Sequence, residues 1–358
     1  MGRAAKPAND PPPGLTATGQ AVVEPMEARL VDDLPNEPVW QFEPKWDGFR
    51  CLAYRKGELA DLRAKSGKPL GRYFPEVIRA VLSAASDDFI IDGELAIPIG
   101  ETLAFDALQM RLHPAESRIR KLSSQTPAIF ILFDILRREA GDIVHATLAE
   151  RRAVLETLFR EMPPGGLFRL SPYTRDRNEA MGWLEHSGGA LDGVVAKRVD
   201  GRYEYGERSM LKVKRLRSAD CVVGGFRYAS DSRLVGSLLL GLFDSAGLLH
   251  HVGFTSTISN EERPSLTKRL EALTGAPGFT GNAPGGPSRW STERSAEWQP
   301  LRHELVVEVR YDQVTGDRFR HGTKLLRWRP DKAPRQCTFD QIEREARPGK
   351  LIQQLVAA

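Results

Sequence analysis

The 358-residue sequence has few cysteines and no long apolar run. Its three cysteines, Cys51, Cys221 and Cys337, share no metal-type spacing and cannot form an even disulfide framework, which is typical of a reducing cytosol. The longest apolar runs, Ile129–Leu136 and Leu234–Phe243, are strand-length and fall well short of the roughly 18 residues that a membrane helix needs. The first residues lack the apolar stretch of a secretory signal. These absences predict a cytoplasmic protein without a membrane partner.

An excess of charge of one sign is also lacking, since 51 basic and 47 acidic residues leave a formal net charge of +4. That value alone does not indicate a nucleic-acid partner. The basic residues are nevertheless clustered. A first basic cluster spans residues 318–335, and a second basic cluster consists of Lys212, Lys214, Arg215 and Arg217. Solvated surfaces would account for both clusters, and so would a phosphate-rich ligand.

The length of the chain, at about 150 residues per domain, predicts two domains after an N-terminal tail. Residues 1–22 are rich in Pro, Ala and Gly, which predicts a flexible tail. Residues 23–217 mix helical and strand patterns. In residues 218–358 short strands dominate, with one helix after the third strand, which predicts a small barrel of the OB type.

Individual elements follow from apolar periodicity and capping signals. A helix is expected after Pro75, and Thr147-x-x-Glu150 is a capping box that opens another. A third helix is predicted near Leu266–Leu273. The predicted strands are Phe89–Ile97, Ala128–Leu136, Val194–Arg198, Cys221–Tyr228, Ser237–Phe243, Leu248–Thr255 and Leu305–Tyr311.

A candidate nucleophile is Lys45, which opens the segment KWDGFR. The apolar alternation from Phe49 onward predicts a strand, so Lys45 is expected in the loop before it. Gly48 permits close backbone approach, and an amine attacks a phosphate only when unprotonated, with cations nearby to lower its pKa. Arg50 and the second basic cluster could supply that field. A surface lysine in a loop is the alternative, and the segment alone does not decide between them.

Two further segments place a carboxylate or an aromatic ring near the end of a predicted strand. Asp92-Gly93-Glu94 carries a carboxylate suited to a ribose hydroxyl, and a hairpin turn is the alternative. Phe133 could stack on a base, with the acid Asp134 after it, or could simply belong to the core. Neither segment is specific by itself.

Asp192 and Lys197 are separated by an odd number of residues in a predicted strand. Their side chains would lie on opposite faces of an ideal strand, so a shared site requires a turn or bulge near Gly193. Lys212 and Lys214 do share one strand face. Two like charges held together favour an anion such as a phosphate.

Taken in order, these motifs resemble the motif series of covalent nucleotidyltransferases, and most closely that of ATP-dependent DNA ligases of the compact bacterial ligase C type. Arg329-x-Asp331-Lys332 completes the series, which spans Val23 to Ala333. Each motif is weak alone, whereas the ordered set is specific. The resemblance implies an α+β fold, in which a nucleotidyltransferase (adenylation) domain with mixed and antiparallel sheets precedes the OB-fold domain.

The resemblance also implies a role for each motif residue. Lys45 would take AMP from ATP as a phosphoramidate, while Asp192 and Glu94 would bind Mg²⁺, or Mn²⁺ as an alternative. Glu43 and Lys65 are expected among the residues that contact ATP or AMP. The other expected contacts are the sugar for Arg50 and Glu94, adenine for Phe133, the phosphate region for Lys197, the α-phosphate for Lys212 and Lys214, and the leaving pyrophosphate for Arg329, Asp331 and Lys332.

The sequence departs from the family pattern at three positions. Lys65 stands where the family usually has the arginine of Ser-Arg-x-Gly, so a point charge replaces a planar bidentate group. Asp192 stands where the metal-binding acid is usually Glu. Leu211 stands where an aromatic residue often precedes the Lys-x-Lys pair. None of these changes removes the nucleophile or an obligatory charge type.

Nicked duplex DNA is the substrate that the resemblance implies, sealed through lysyl-AMP and DNA-adenylate intermediates. The chain shows no DNA-clamping domain, zinc finger, polymerase or nuclease segment, which predicts a minimal, monomeric repair ligase by fold-level analogy. A repair polymerase or an end-binding protein is the expected protein partner. Arg318, Arg320 and Lys324, from the first basic cluster, are expected to steer the DNA backbone.

Two alternatives remain at this level. An RNA ligase or an mRNA capping enzyme shares the lysine chemistry, and a capping enzyme would use GTP. A non-catalytic OB-fold protein that binds nucleic acid and retains a degenerate transferase domain would bind without a covalent nucleotide. The intact lysines and the Arg329–Lys332 segment argue against the second alternative.

Overall fold

The chain divides into two units, residues 1–214 with 348–358 and residues 215–347. The division lies next to the predicted boundary at residue 217. No helix within the described residues is long and apolar enough to cross a membrane. The computed structural model describes residues 14–100, 102–139, 141–185, 191–215, 217–230, 232–285, 297–320, 322–343 and 355.

Residues 14–22 differ from the predicted flexible tail. Thr16 is buried, and the backbone N–H of Ala17 donates to Oδ2 of Asp61 at 2.8 Å. Hydrogen bonds hold this segment against the rest of the first unit. The composition of the segment, which is poor in large apolar side chains, does not reveal these bonds. Residues 1–13 of the predicted tail lie outside the described residues.

The strands of the first unit pair into two large sheets. Their bounds are β1 (Ala28–Leu30), β2 (Trp40–Trp46), β3 (Phe49–Lys56), β4 (Leu59–Ala64), β5 (Asp88–Ala96), β6 (Pro98–Ile99), β7 (Thr102–Leu103), β8 (Ile129–Arg138), β9 (Gly141–Asp142), β10 (Phe168–Leu170), β11 (Leu191–Arg198) and β12 (Met210–Val213). Sheet A has the order β1-β12-β11-β2, and sheet B has the order β10-β8-β5-β3-β4, with β9 beside β8. β6 and β7 form a small hairpin.

Helices pack against both large sheets, mostly over one face of sheet B, while the last of them, which contains Ala180, packs against sheet A. Their bounds are α1 (Pro75–Leu82), α2 (Phe105–Arg111), α3 (Glu116–Gln125), α4 (Leu148–Arg160) and α5 (Arg177–Glu185). α1 has Pro75 at its first position, where a missing N–H costs nothing. The predicted capping box opens α4, because Thr147 and Glu150 each accept the other's backbone N–H. Both predicted helix starts are therefore confirmed.

Period-two alternation along β5 separates the core from the site. Phe89, Ile91 and Leu95 pack with the helices, while Ile90 joins the cluster between the sheets. Asp92 lies on the same alternating set as Ile90, and is likewise buried. The polar side chains of β5 thus face sheet A, where the cavity lies.

The second unit is the predicted OB-fold domain. Its elements are β13 (Arg217–Tyr228), β14 (Val235–Phe243), β15 (Leu249–Thr255), α6 (Arg263–Glu271), β16 (Gln299–Pro300), β17 (Val306–Tyr311), β18 (Val314–Thr315), β19 (Arg318–Phe319), β20 (Lys324–Trp328) and α7 (Asp340–Glu343). The main sheet has the order β15-β14-β13-β17-β20, and a bridge between Thr255 and Thr323 joins its two ends into a barrel. α6 follows the third strand, as predicted.

Leu355, near the end of the chain, belongs with the first unit, although the sequence assigned residues 218–358 to the OB domain. Leu355 packs in a cluster with Trp46, and its carbonyl oxygen accepts a hydrogen bond from Nε of Arg169 at 3.0 Å. One apolar residue near the end of a chain gives no sequence signal of the surface that it covers.

Candidate active site

Strands of both sheets line a cavity of about 1630 Å³ in the first unit. Most of the polar residues that line the cavity come from motifs that are distant in sequence. The pairing of the strands brings these motifs together. The lining includes eight residues with a predicted role at the nucleotide, namely Glu43, Lys45, Arg50, Lys65, Glu94, Phe133, Lys197 and Lys212.

Lys45 is the penultimate residue of β2, so its predicted position in a loop is wrong. The connection to β3 consists only of Asp47 and Gly48. A Cβ atom on Gly48 would lie 2.1 Å from the carbonyl oxygen of Leu95, so only glycine fits this close approach to β5. A strand holds Lys45 more firmly than a loop would, which suits a side chain that must meet one substrate atom.

Asp192 is the extra residue of a β-bulge opposite Lys45. Leu191 pairs with Trp46 and Gly193 pairs with Lys45, and Asp192 is left between the two pairs. The irregularity that the spacing predicted near Gly193 is thus confirmed. Because of the bulge, the carboxylate reaches Lys45, whose Nζ lies 2.5 Å from Oδ2 of Asp192.

Positive charge surrounds this carboxylate. Nζ of Lys214 lies 3.0 Å from the same Asp192 oxygen that contacts Lys45. Burial alone would raise the pKa of Asp192, but the two ammonium groups hold the pKa below its ordinary value. The pKa of Lys212 is lowered, first by burial and then by the charges of Lys45 and Lys214. Three lysines around one carboxylate suit a polyphosphate ligand.

The described residues contain no group of three or more His, Cys, Asp or Glu side chains that could hold a metal ion unaided. Mg²⁺ sites in nucleotide enzymes usually combine one or two carboxylates with substrate phosphates and water. Asp192, in contact with Lys45, and Glu94, which lines the cavity, fit such a shared site.

Arg50 is held by a buried carboxylate of the neighbouring strand. Its Nε donates to Oδ1 of Asp92 at 3.1 Å, and its Nη2 donates to Oδ2 at 2.7 Å. Burial disfavours the charge of Arg50, but Asp92 raises its pKa above the ordinary value. Asp92 and Glu94 both lie within β5, so the alternative interpretation of Asp92-Gly93-Glu94 as a hairpin turn is wrong. Asp92 binds Arg50, which leaves Glu94 as the carboxylate of β5 that lines the cavity.

The protonation of Glu94 makes a testable contribution to stability. Burial raises the pKa of Glu94 to about 8 from an ordinary value of 4.5, despite the charges of Lys45 and Arg50. The folded state therefore keeps a proton that the unfolded chain releases, and its stability falls as the pH rises through this window. We expect the wild type to lose roughly 3 to 4 kcal/mol of unfolding free energy between about pH 5 and pH 8, relative to Glu94→Gln.

Denaturant unfolding of both proteins at about pH 5, 6.5 and 8 measures this difference. A gap between wild type and Glu94→Gln that does not change with pH would show that Glu94 titrates normally.

Cations lie over the ring of Phe133. Nζ of Lys197 is 4.7 Å from the ring centroid, and Cζ of Arg50 is 5.6 Å from it. Nζ of Lys197 is also 2.7 Å from Oε2 of Glu43, and both side chains are buried. Nε2 of Gln41 donates to the other Glu43 oxygen at 3.0 Å. Lys197 therefore lies beside the ring that is expected to stack on adenine, and its position near the phosphate stays a prediction.

Lys65 is the most open of the cavity residues just described. Its side chain is 54% exposed, and its Nζ lies 2.8 Å from Oε1 of Glu27. This contact is the main reason why the pKa of Glu27 is lowered. Nε of Arg208 lies 3.7 Å from the other Glu27 oxygen. Two cations therefore lie at the Glu27 carboxylate, one of them on the exposed Lys65 side chain.

Arg329, Asp331 and Lys332 form an ion-pair cluster with Asp220 in the second unit. Asp220 Oδ1 lies 2.8 Å from Nη1 of Arg329, and Oδ2 lies 2.6 Å from Nζ of Lys332. Arg329 also contacts Asp331 at 2.9 Å, and this hydrogen bond lowers the pKa of Asp331 to about 2. Sequence reasoning missed Asp220, which lies 109 residues before Arg329 and outside the motif series.

The three residues expected to steer DNA are spread over short segments of the second unit. Arg318, in β19, is exposed, and its Nη2 lies 3.1 Å from Nδ1 of His251. Arg320 donates to Oε1 of Gln313 at 2.7 Å. Lys324 opens β20 and is exposed. Their role at DNA stays a prediction.

Comparisons with known proteins match segments of both units to one family. Residues 25–214 match the family model of the ATP dependent DNA ligase domain, and residues 231–332 match that of the ATP dependent DNA ligase C terminal region. DNA ligase C2 of Mycolicibacterium smegmatis is 42% identical over 337 residues, which cover 90% of this chain and 94% of that protein.

Two further similarities are more distant. The multifunctional non-homologous end joining protein LigD of the same bacterium is 28% identical over 307 residues, covering 84% of this chain and 37% of that protein. A solved structure from a structure-function study of Lig E DNA ligases, which concerns DNA binding with a minimal scaffold, has a TM-score of 0.51 and 18% identity. It covers 85% of this chain and 99% of that chain. At that identity the similarity concerns the fold alone.

Proposed function

The chain belongs to the ATP-dependent DNA ligase family, and from this membership we propose that Lys45 is the residue that its reaction joins to AMP. The protein is accordingly an ATP-dependent enzyme that acts on DNA, and not a capping enzyme or a non-catalytic OB-fold protein. The observation that carries the proposal is the position of Lys45 at a strand end, in the cavity, on the carboxylate of Asp192.

The proposed reaction has three transfers at phosphorus. The neutral amine of Lys45 attacks the α-phosphorus of ATP, a P–N bond forms, and the bond to the bridging oxygen breaks as pyrophosphate leaves. A 5′-phosphate oxygen of nicked DNA then attacks the same phosphorus and frees the lysine. The 3′-hydroxyl finally attacks the 5′-phosphorus, seals the strand and releases AMP.

Asp192 orients the nucleophile in this proposal. Its pKa is held low by Lys45 and Lys214, so it stays a carboxylate and does not keep the proton that the amine must lose. The Lys212 and Lys214 ammonium groups would stabilise the negative charge on the α-phosphate. When bound, Mg²⁺ or Mn²⁺ would neutralise phosphate charge, with Asp192 and Glu94 as the protein carboxylates that fit it.

The base and the sugar of ATP are proposed to lie at the Phe133 side of the cavity. The ring of Phe133 would stack on adenine, with the buried Lys197–Glu43 pair beside it. Arg50 and Glu94 would contact the sugar. The Glu43 carboxylate would accept a hydrogen bond from the 6-amino group of adenine, whereas guanine has a carbonyl oxygen at that position, so this contact favours adenine over guanine.

Other residues are proposed to serve the leaving group and the second substrate. Arg329, Asp331 and Lys332 would act on the leaving pyrophosphate, and Lys65, which lines the cavity, would contact ATP or AMP, as the family resemblance implies. Arg318, Arg320 and Lys324 would contact the DNA backbone.

A role in DNA repair in the bacterial cytoplasm is also proposed. The chain spans almost the whole length of a DNA ligase C relative, and a more distant relative has end joining in its name. A monomer that acts on nicks left by a repair polymerase, or on ends held by an end-binding protein, fits this size.

Intact-mass measurement after incubation with ATP and Mg²⁺ tests the proposal directly. We expect an added mass of one AMP, its loss on addition of nicked duplex DNA, and the appearance of sealed strand. GTP in place of ATP is the control and should add no mass. A protein that seals no nick and acquires no AMP would refute the proposed reaction.

A further inference from the structure

A buried tyrosine connects the cavity to the chain between β11 and β12. Tyr203 is 5% exposed, and its hydroxyl group donates to Oδ2 of Asp92 at 2.6 Å. The same oxygen of Tyr203 accepts the backbone N–H of Met26 at 3.1 Å. Asp92 is itself fully buried and holds both Nε and Nη2 of Arg50. Of these residues, Arg50 is among those that line the cavity, whereas Tyr203 is not.

We propose that Tyr203 is a positioning residue that acts through Asp92 on Arg50 and thereby sets the affinity for ATP. The inference rests on the proposed function in one respect, namely that Arg50 contacts the nucleotide. No motif of the series includes Tyr203, and sequence reasoning did not single it out.

The physical argument begins with the carboxylate. Oδ2 of Asp92 accepts two hydrogen bonds, from Tyr203 and from Nη2 of Arg50, while Oδ1 accepts Nε of Arg50. The hydroxyl of Tyr203 and the guanidinium of Arg50 therefore fix the rotation of the carboxylate from two sides. Without the Tyr203 hydroxyl, only Arg50 would hold the Asp92 carboxylate, and the carboxylate and the guanidinium could then rotate together.

The ring of Tyr203 also contacts a second buried ion pair. Cζ of Arg151 lies 5.7 Å from the ring centroid, and Arg151 binds Asp134 through Nε at 2.8 Å and Nη2 at 3.0 Å. Asp134 follows Phe133, the proposed adenine-stacking residue. Tyr203 thus contacts two ion pairs, Asp92–Arg50 at the proposed sugar contact and Arg151–Asp134 next to the proposed adenine contact. Because of this position, we expect the orientation of Arg50 to depend on the hydroxyl group of Tyr203.

Tyr54 provides a matched control. It is also fully buried, and its hydroxyl oxygen accepts the backbone N–H of Val23 at 3.2 Å, much as Tyr203 accepts that of Met26. Of the two tyrosines, Tyr203 is the one whose hydroxyl group donates a hydrogen bond to Asp92. Tyr54→Phe therefore removes an equivalent hydroxyl without touching the pair that holds Arg50.

The test measures single-turnover transfer of labelled AMP to the full-length enzyme as a function of ATP concentration. We expect Tyr203→Phe to raise the half-saturating ATP concentration roughly tenfold while the rate at saturation changes less than about threefold. Tyr54→Phe should leave both values near those of the wild type. A loss of similar size in the two variants, or no change in Tyr203→Phe, would overturn the proposal.

A double-mutant cycle shows whether Tyr203 acts through Arg50. Arg50→Lys keeps a charge but cannot form the bidentate pair, so adding Tyr203→Phe to it should weaken ATP saturation by less than about twofold further. A full tenfold further loss would mean an independent route and would overturn the proposal. Loss of AMP transfer in the wild type itself would instead refute the proposed function.

Discussion

Lys45→Ala is expected to lose the covalent AMP adduct and all ATP-dependent sealing, while keeping its fold and its binding to DNA. The side chain supplies the nitrogen of the proposed P–N bond, and alanine has no atom that can replace it. Its removal also leaves Asp192 paired with Lys214, so the buried carboxylate keeps a partner. The rate of AMP transfer should fall by at least about 10³-fold in a labelling assay.

Lys56→Ala is the matched control, since Lys56 is an exposed lysine at the end of β3. It should label and seal at the rate of the wild type. Normal labelling of Lys45→Ala would assign the nucleophile to another residue.

Asp192→Asn is expected to reduce AMP transfer by about 10²-fold or more, because it removes a negative charge from a group of three lysines. The neutral amide cannot form ion pairs with Lys45 and Lys214. It also cannot supply the carboxylate that the proposed metal site needs. Asp192→Glu restores the charge and the residue type usual in the family, and should stay within about tenfold of the wild type.

A Mg²⁺ titration of AMP transfer separates the two roles of Asp192. The Asn variant should need more Mg²⁺ for half-maximal transfer, and the Glu variant should not. If the Asn variant kept both the rate and the Mg²⁺ dependence of the wild type, Asp192 would serve only to hold the fold.

Much of the fold could be predicted because its signals are local. The apolar runs gave the strands around Phe89–Ile97 and Ala128–Leu136 almost residue by residue, and the capping box placed the start of α4 at its true position. The bulge at Gly193 could be predicted as well, because an odd spacing in a strand has few structural solutions.

The parts that could not be predicted depend on long-range contacts. Asp220 and Tyr203 each lie about a hundred residues from the groups that they bind, and no periodic pattern marks them. The partner of Lys197 could not be predicted either, because Glu43 is brought beside it by the pairing of β11 with β2. Residues 14–22 likewise depend on hydrogen bonds to Asp61, which composition cannot show.

The size of the cavity has a consequence for the order of events. Sites for small ligands usually enclose roughly 300–1,000 Å³, and this cavity encloses about 1630 Å³. A nucleotide attached to Lys45 would therefore fill only part of it, and the region near the exposed Lys65 would still admit the end of a nucleic-acid strand. In kinetic terms this is the geometry of a double displacement: the first product can depart and the second substrate can enter while the activated group stays in place, so ATP and DNA need not compete for one volume.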